Sequence, residues 1–314
     1  MKGLNKELIL PGAVLHMTDF LAFENSQRFF SGISNLMFAC LPLKKLNCEK
    51  IRLKRENGTE MRVCVMKNST GEGKTVGILW LHGGGYVFGG PEIAAMTLPK
   101  HILEKYNCVI VSPDYTLSPS APFPAALNDA WQTLLWMKEN RERLGIEEEK
   151  FIVGGESAGG GLCAGLCLYA RDNGENCIGF QMPLYPMLDD RETDTSKNNR
   201  MPVWNTRANR SAWKIYLGGA DGVSKYAAPA RETDFSRLPP AITIIGTLEP
   251  FYEETLRFLG RLYKAGVDTE YKIFDGCFHA FDITVPFSSV SRVSTAFLLD
   301  SMKKYIEKYI SKEN

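Results

Sequence analysis

The chain has 314 residues, with 37 Lys and Arg against 36 Asp and Glu for a formal net charge of +1, and 44% of its residues are apolar. That length suits one large α/β domain with an insertion, or two domains, and the balanced charge leaves no electrostatic footprint for nucleic acid or an anionic membrane surface. No apolar run approaches a membrane span, so no stable membrane anchor is expected, and the eight cysteines include no C-x-x-C pair, which argues against a zinc site.

Residues 1–47 read as amphipathic helix, with Phe20, Leu21, Phe23, Phe29, Phe30, Leu36, Met37 and Phe38 available for packing. The opening stretch is broken by Pro11 and Gly12 and lacks the form of a signal peptide, so a cytoplasmic location with reduced, buried thiols is expected. Ile51 and Leu53, then Met61, Val63 and Val65, alternate with polar residues on either side of Asn57-Gly58. This pattern predicts an antiparallel hairpin at a sheet edge. A buried-type strand over 76–81 runs into His82-Gly83-Gly84-Gly85-Tyr86, where consecutive glycines let backbone N–H groups turn toward a ligand. Another strand, 108–111, leads through a proline-rich loop to a helix with Leu127, Ala130, Trp131, Leu134 and Leu135 on one stripe.

Residues 151–161, FIVGGESAGGG, carry the strongest signal. A short β-prone run turns sharply into a helix whose stripe is Leu162, Cys163, Leu166, Cys167 and Ala170. Gly155-Glu156-Ser157-Ala158-Gly159 fits the G-x-S-x-G elbow, in which glycines two residues either side of a serine make room for a strained turn. The helix that follows aims its N-terminus at the serine and favours developing negative charge there. Further on come a strand over 179–185, a polar stretch over 189–200, and a helix over 204–217 anchored by Trp204, Trp213 and Tyr216. A strand over 241–246 precedes Glu249-Pro250, and a helix over 251–265 stops at Gly266. The last strand, 269–274, delivers Asp275 to Phe281, and a helix over about 293–310 closes the chain.

A serine nucleophile needs a base within reach and a carboxylate to hold that base. Of the four histidines, His279 follows a strand near the end of the chain, whereas His82 opens the glycine loop as a structural hydrogen-bonder. Ser157, Glu249 and His279 keep the order serine, acid, histidine, each just after a strand, so all three can meet at one edge of a parallel sheet. The candidate oxyanion donors are the N–H groups of Gly84, Gly85 and Ala158, with Gly83 next. Candidate pocket residues are Tyr86, Phe88, Glu156, Tyr185, Trp204, Trp213 and Phe281. No phosphate loop, flavin fingerprint or metal-ligand spacing is present, so neither cofactor nor metal is expected.

Strand-HGGG, then DYTLSPSAPFPAALNDA, then GGESAGGG together resemble the hormone-sensitive-lipase family of α/β-hydrolases, from about Val76 to the C-terminus. Thr116 and Ser120 stand where that family usually carries an arginine and an acid, and Glu156 and Glu249 stand where aspartate is commoner. The resemblance implies an α/β-hydrolase fold, with a mostly parallel central sheet, helices on both faces and a helical cap. Residues 48–190 and 226–314 would form the catalytic domain, and 1–47 with 191–225 the cap. It implies a serine carboxylesterase that hydrolyses short- to medium-chain acyl esters of small molecules through an acyl-enzyme. A homo-oligomer is left open. The alternatives are a deacetylase or amide hydrolase acting on a small metabolite, and a non-catalytic ligand-binding protein. Binders of that kind typically lose the histidine, which this chain keeps at position 279.

Overall fold

Period-two alternation places β1 (Cys48–Lys54) antiparallel to β2 (Glu60–Asn68), with Ile51 opposite Val63 and Leu53 opposite Met61 across the pair. The Asn57-Gly58 turn joins them, with Gly58 at φ 84° and the Asn57 side chain accepting the Thr59 N–H. The computed structural model describes residues 3–16, 22–39, 48–68, 72–219 and 221–311. Phe20 and Leu21 of the predicted N-terminal helix lie outside the described residues, as do the side chains of Leu36, Met37 and Phe38.

The hairpin forms one edge of an eight-stranded sheet. The other strands are β3 (Glu72–Leu81), β4 (Tyr106–Pro113), β5 (Phe151–Glu156), β6 (Ile178–Leu184), β7 (Ala241–Gly246) and β8 (Thr269–Phe274). Their order is β1-β2-β4-β3-β5-β6-β7-β8; β2 runs antiparallel to β1 and β4, and the remaining neighbours pair parallel. β5 and β6 are buried along their whole length, which is why, Glu156 and Gln181 apart, their residues are non-polar without alternation.

The helices are α1 (Ile9–Leu15), α2 (Glu24–Ala39), α3 (Leu98–Lys105), α4 (Ala125–Glu139), α5 (Arg141–Leu144), α6 (Ala158–Asp172), α7 (Thr206–Leu217), α8 (Tyr252–Lys264), α9 (Phe281–Thr284) and α10 (Ser289–Tyr309). The strand order reverses at β3: the β3-to-β4 crossover runs one way along the sheet and the β4-to-β5 crossover runs back. Right-handed crossovers therefore put α3 on one face and α4 with α6 on the other. The packing agrees, since α10 lies against α3 and α4 against α6. That reversal opens a crevice at the C-terminal strand ends, where ligands bind in open α/β sheets.

Helix boundaries follow local caps. α7 begins at Thr206 rather than at Trp204 because the Asn205 side chain accepts the Ala208 N–H at 3.1 Å. α10 starts four residues earlier than its apolar pattern predicts, since Ser288 caps it through the Ser291 N–H. The loop after β4, which lacks the expected arginine and acid, is tied from elsewhere. Thr116 donates its N–H and its hydroxyl to Asp129 on α4, each at 2.7 Å, and Arg55 from the β1–β2 turn pairs with the same carboxylate at 2.6 Å. This fork is largely buried on the Asp129 side, where a charge-assisted pair holds its geometry well.

A helical cap region covers the crevice. Gln27 on α2 is fully buried; its Oε1 accepts the Ser211 hydroxyl at 2.6 Å, and its Nε2 donates to the Ala208 carbonyl at 3.3 Å. These two bonds lock α2 onto α7, and Glu24 with Lys214 adds an outer ion pair. Among the described residues no helix is long and apolar enough to cross a membrane.

Candidate active site

Ser157 stands between the end of β5 and the start of α6 at φ 57°, ψ −118°. A residue with a Cβ in that conformation is strained, and the surrounding packing has to hold it there. Gly159 shows how closely that packing fits. A Cβ there would lie 2.0 Å from the Leu81 carbonyl oxygen and 2.5 Å from that of His82, so α6 can sit against β3 only with hydrogen at this position. Gly159→Ala should therefore push α6 off the strand end and cost about 1–3 kcal/mol or more. Denaturant unfolding should show a lower midpoint, and a midpoint equal to wild type would mean that α6 has more room than the backbone allows.

His279 follows β8 on a short loop, and its Nε2 lies 2.8 Å from Ser157 Oγ. Its Nδ1 lies 2.6 Å from Glu249 Oε2. Glu249 follows β7 and is completely buried, and its other oxygen accepts the Gly246 N–H at 2.9 Å. Burial pushes this carboxyl above its ordinary pKa, while the charge and hydrogen bond of His279 and the Gly246 N–H pull it back. Tyr185 and Phe251 clasp the imidazole edge-on, with centroids 5.2 and 5.0 Å from it. Ring orientation is thus fixed by packing as well as by hydrogen bonds. The three side chains form a hydrogen-bonded Ser-His-Glu triad, an arrangement consistent with ester hydrolysis.

The competing carboxylates lie elsewhere. Asp275 accepts the Thr247 hydroxyl at 3.1 Å. Asp282 faces the Tyr185 hydroxyl at 3.4 Å, and Glu254 accepts the Leu188 N–H at 2.7 Å from within α8. His82 is buried, with Nδ1 donating to the Gly83 carbonyl at 2.8 Å and its ring stacked on Tyr115 at 4.1 Å. Burial pulls its pKa down to about 4, so it stays neutral and holds the glycine loop.

A cavity of about 370 Å³ opens over Ser157 and His279. Of the residues expected in its wall, Phe88, Glu156, Tyr185 and Trp204 line it, together with Gly83 and Gly84. Gly85 does not. It sits at φ 63° beneath Trp204, where a Cβ would meet the indole at 2.2 Å. Tyr86, Trp213 and Phe281 are packed inside instead: Tyr86 stacks on Tyr216 at 3.7 Å, Trp213 leans on Tyr216 at 5.9 Å, and Phe281 packs on Phe274 at 5.3 Å. The sequence reading missed Leu15, Ile93, Val203, Ala208 and Ile283, which supply most of the remaining apolar wall. They come from the cap, a 3-10 turn and α9, and no motif marks them. Among the described residues no group of three His, Cys, Asp or Glu side chains is placed to hold a metal ion.

A family model described as alpha/beta hydrolase fold matches residues 78–283. Esterase LipI of Mycobacterium tuberculosis is 32% identical over 197 residues, covering 62% of this chain and 61% of LipI. Carboxylesterase NlhH of the same organism is 31% identical over 201 residues, covering 62% of both chains. This chain thus aligns with somewhat less than two thirds of the length of either relative. A solved structure titled Bacterial Heroin Esterase superposes with a TM-score of 0.84 at 31% identity, covering 96% of this chain and 98% of that one. These matches correct the resemblance drawn from the motifs: they group the chain with carboxylesterases of the LipI and NlhH kind, not with the hormone-sensitive-lipase family. The HGGG and GESAG stretches that suggested it are short loop geometries, which cannot separate one esterase clade from another.

Proposed function

The chain belongs to the alpha/beta hydrolase fold family, and we propose that it is a serine carboxylesterase acting on small, largely apolar esters. The observation that carries the reading is the unbroken chain Ser157–His279–Glu249, at 2.8 and 2.6 Å, opening into an apolar cavity. Ser157 attacks the ester carbonyl while His279 Nε2 takes its proton. The buried Glu249 carboxylate holds the imidazole with Nδ1 protonated and stabilises the imidazolium. Gly83 and Gly84, which face the cavity, and Ala158, at the first position of α6, are the oxyanion donors in this reading. His279 then hands the proton to the leaving alcohol. Water, activated by the same imidazole, frees the acyl-enzyme.

The cap formed by α1, α2 and α7 sets the size of substrate admitted, because Leu15 and Ala208 bring it to the cavity wall. Short to medium acyl chains suit a space of about 370 Å³. A cytoplasmic location accords with Cys48, Cys64, Cys108, Cys163, Cys167, Cys177 and Cys277, all free thiols. A series of p-nitrophenyl esters from acetyl to decanoyl, run beside fluorophosphonate labelling, tests the reading. Turnover of the short esters with one covalent adduct at Ser157 is expected. Labelling without turnover of any ester would instead point to an amide or another acyl substrate, and no labelling would point to a binding protein.

Trp204 is the largest side chain between cap and triad, its ring 6.5 Å from that of His279. Trp204→Ala should enlarge the cavity and shift the kcat/KM ratio of octanoyl to acetyl ester upward by about tenfold. An unchanged chain-length profile would show that Trp204 does not limit the cavity.

A further inference from the structure

Glu156, the residue before the nucleophile, is 2% exposed, and neither of its carboxyl oxygens has a protein hydrogen-bond partner. The donors that face it, Trp80 Nε1 on β3 and Thr97 Oγ1 ahead of α3, are themselves buried and unpartnered. Its backbone touches the oxyanion loop: the position of a Cβ on Gly83 would lie 3.1 Å from the Glu156 carbonyl oxygen. An ionised carboxylate in this place would lose its hydration, a loss that Thr97 and Trp80 offset only in part, so burial favours the neutral form.

We propose that Glu156 is a positioning residue that must stay uncharged for acylation, so that loss of its proton closes the alkaline side of the enzyme's pH range. This rests on the serine-esterase reading above. Burial and the neighbouring acid oppose its charge, and the hydrogen-bond donors around it favour it. Asp282 from α9 repels its charge, and the phenols of Tyr185, after β6, and Tyr115, after β4, feel it as well. No cation is among the strongest of these influences; Thr97, Trp80 and the residue's own backbone N–H favour the charged form. Burial is the largest influence and pushes the carboxyl up to about 8. Below that pH the group is neutral and leaves the oxyanion hole unopposed. Above it, a fixed negative charge stands in the wall of the same cavity as Ser157, Gly83 and Gly84, where the tetrahedral intermediate places its own negative charge, and the two repel.

The test follows the rate of Ser157 labelling by a fluorophosphonate in wild type and in Glu156→Gln. Wild type should slow about tenfold between about pH 7 and pH 9, and the variant should change less than about twofold over the same range. A parallel fall in both proteins overturns the proposal. Should the glutamine variant fail to fold, the infrared band of protonated carboxyl in wild type takes its place. A band lost in step with labelling supports the proposal, and a labelling fall with no carboxyl titration overturns it. A wild type that is never labelled at any pH, yet still loses the band near the expected pH, removes the esterase reading rather than the protonation of Glu156, and the proposed catalytic effect falls with it.

Discussion

Ser157→Ala should fold like the wild type and lower ester turnover about 10⁶-fold, to a residue set by the oxyanion donors and substrate binding. The physical grounds are local. Ser157 already carries a Cβ at φ 57°, so alanine adds no backbone strain. The hydroxyl has His279 Nε2 as its partner at 2.8 Å, and its removal leaves an imidazole that is still held by Glu249 and clasped by Tyr185 and Phe251. Strain at a nucleophile elbow is a cost to stability that the surrounding packing offsets, so the variant should melt at the wild-type temperature or slightly above it. Initial rates on p-nitrophenyl acetate, with a fluorophosphonate blank to exclude traces of wild type, read the effect. Turnover within about a hundredfold of wild type would remove Ser157 from the reaction.

The triad was legible because its members are scarce and ordered. Four histidines left one that follows a late strand, and the serine was marked by glycines whose absence of side chain has a steric cause. The oxyanion loop was legible as a loop but not in its directions. Three successive glycines look alike in sequence, whereas in the fold Gly83 and Gly84 face the cavity and Gly85 is turned under Trp204. Aromatic residues misled for a related reason. Tyr86, Trp213 and Phe281 are large and lie close to the motifs, yet each is fully packed against another ring. Ile93 and Val203, unremarkable in sequence, reach the cavity because turns hold them there. The tie between Arg55, Thr116 and Asp129 joins the β1–β2 turn, the loop after β4 and α4, and no short pattern can encode a bond across 74 positions.

Glu249→Gln should lower turnover about 10³- to 10⁴-fold with little change in KM. Glutamine keeps the volume, and its amide oxygen can still accept either the Gly246 N–H or the His279 N–H. It cannot supply the charge that makes the imidazolium tolerable in a site where Glu249 is completely buried. Its amide N–H₂ can also turn toward His279 and select the tautomer with the proton on Nε2, which cannot accept from Ser157. Both effects act on the step in which the proton moves, so kcat should fall while ester binding in the apolar cavity stays. Glu249→Asp keeps the charge but shortens the reach to an Nδ1 now 2.6 Å away, and partial activity is expected. Asp275→Asn should cost far less, because that carboxylate is bonded to Thr247 outside the triad. Asp282→Asn should also cost less. Its carboxyl faces Tyr185 rather than the imidazole, so its loss leaves the bond between Glu249 and His279 in place. The comparison of the three variants under one assay is decisive: a folded Asp282→Asn as slow as Glu249→Gln would transfer the role of acid from the end of β7 to the start of α9.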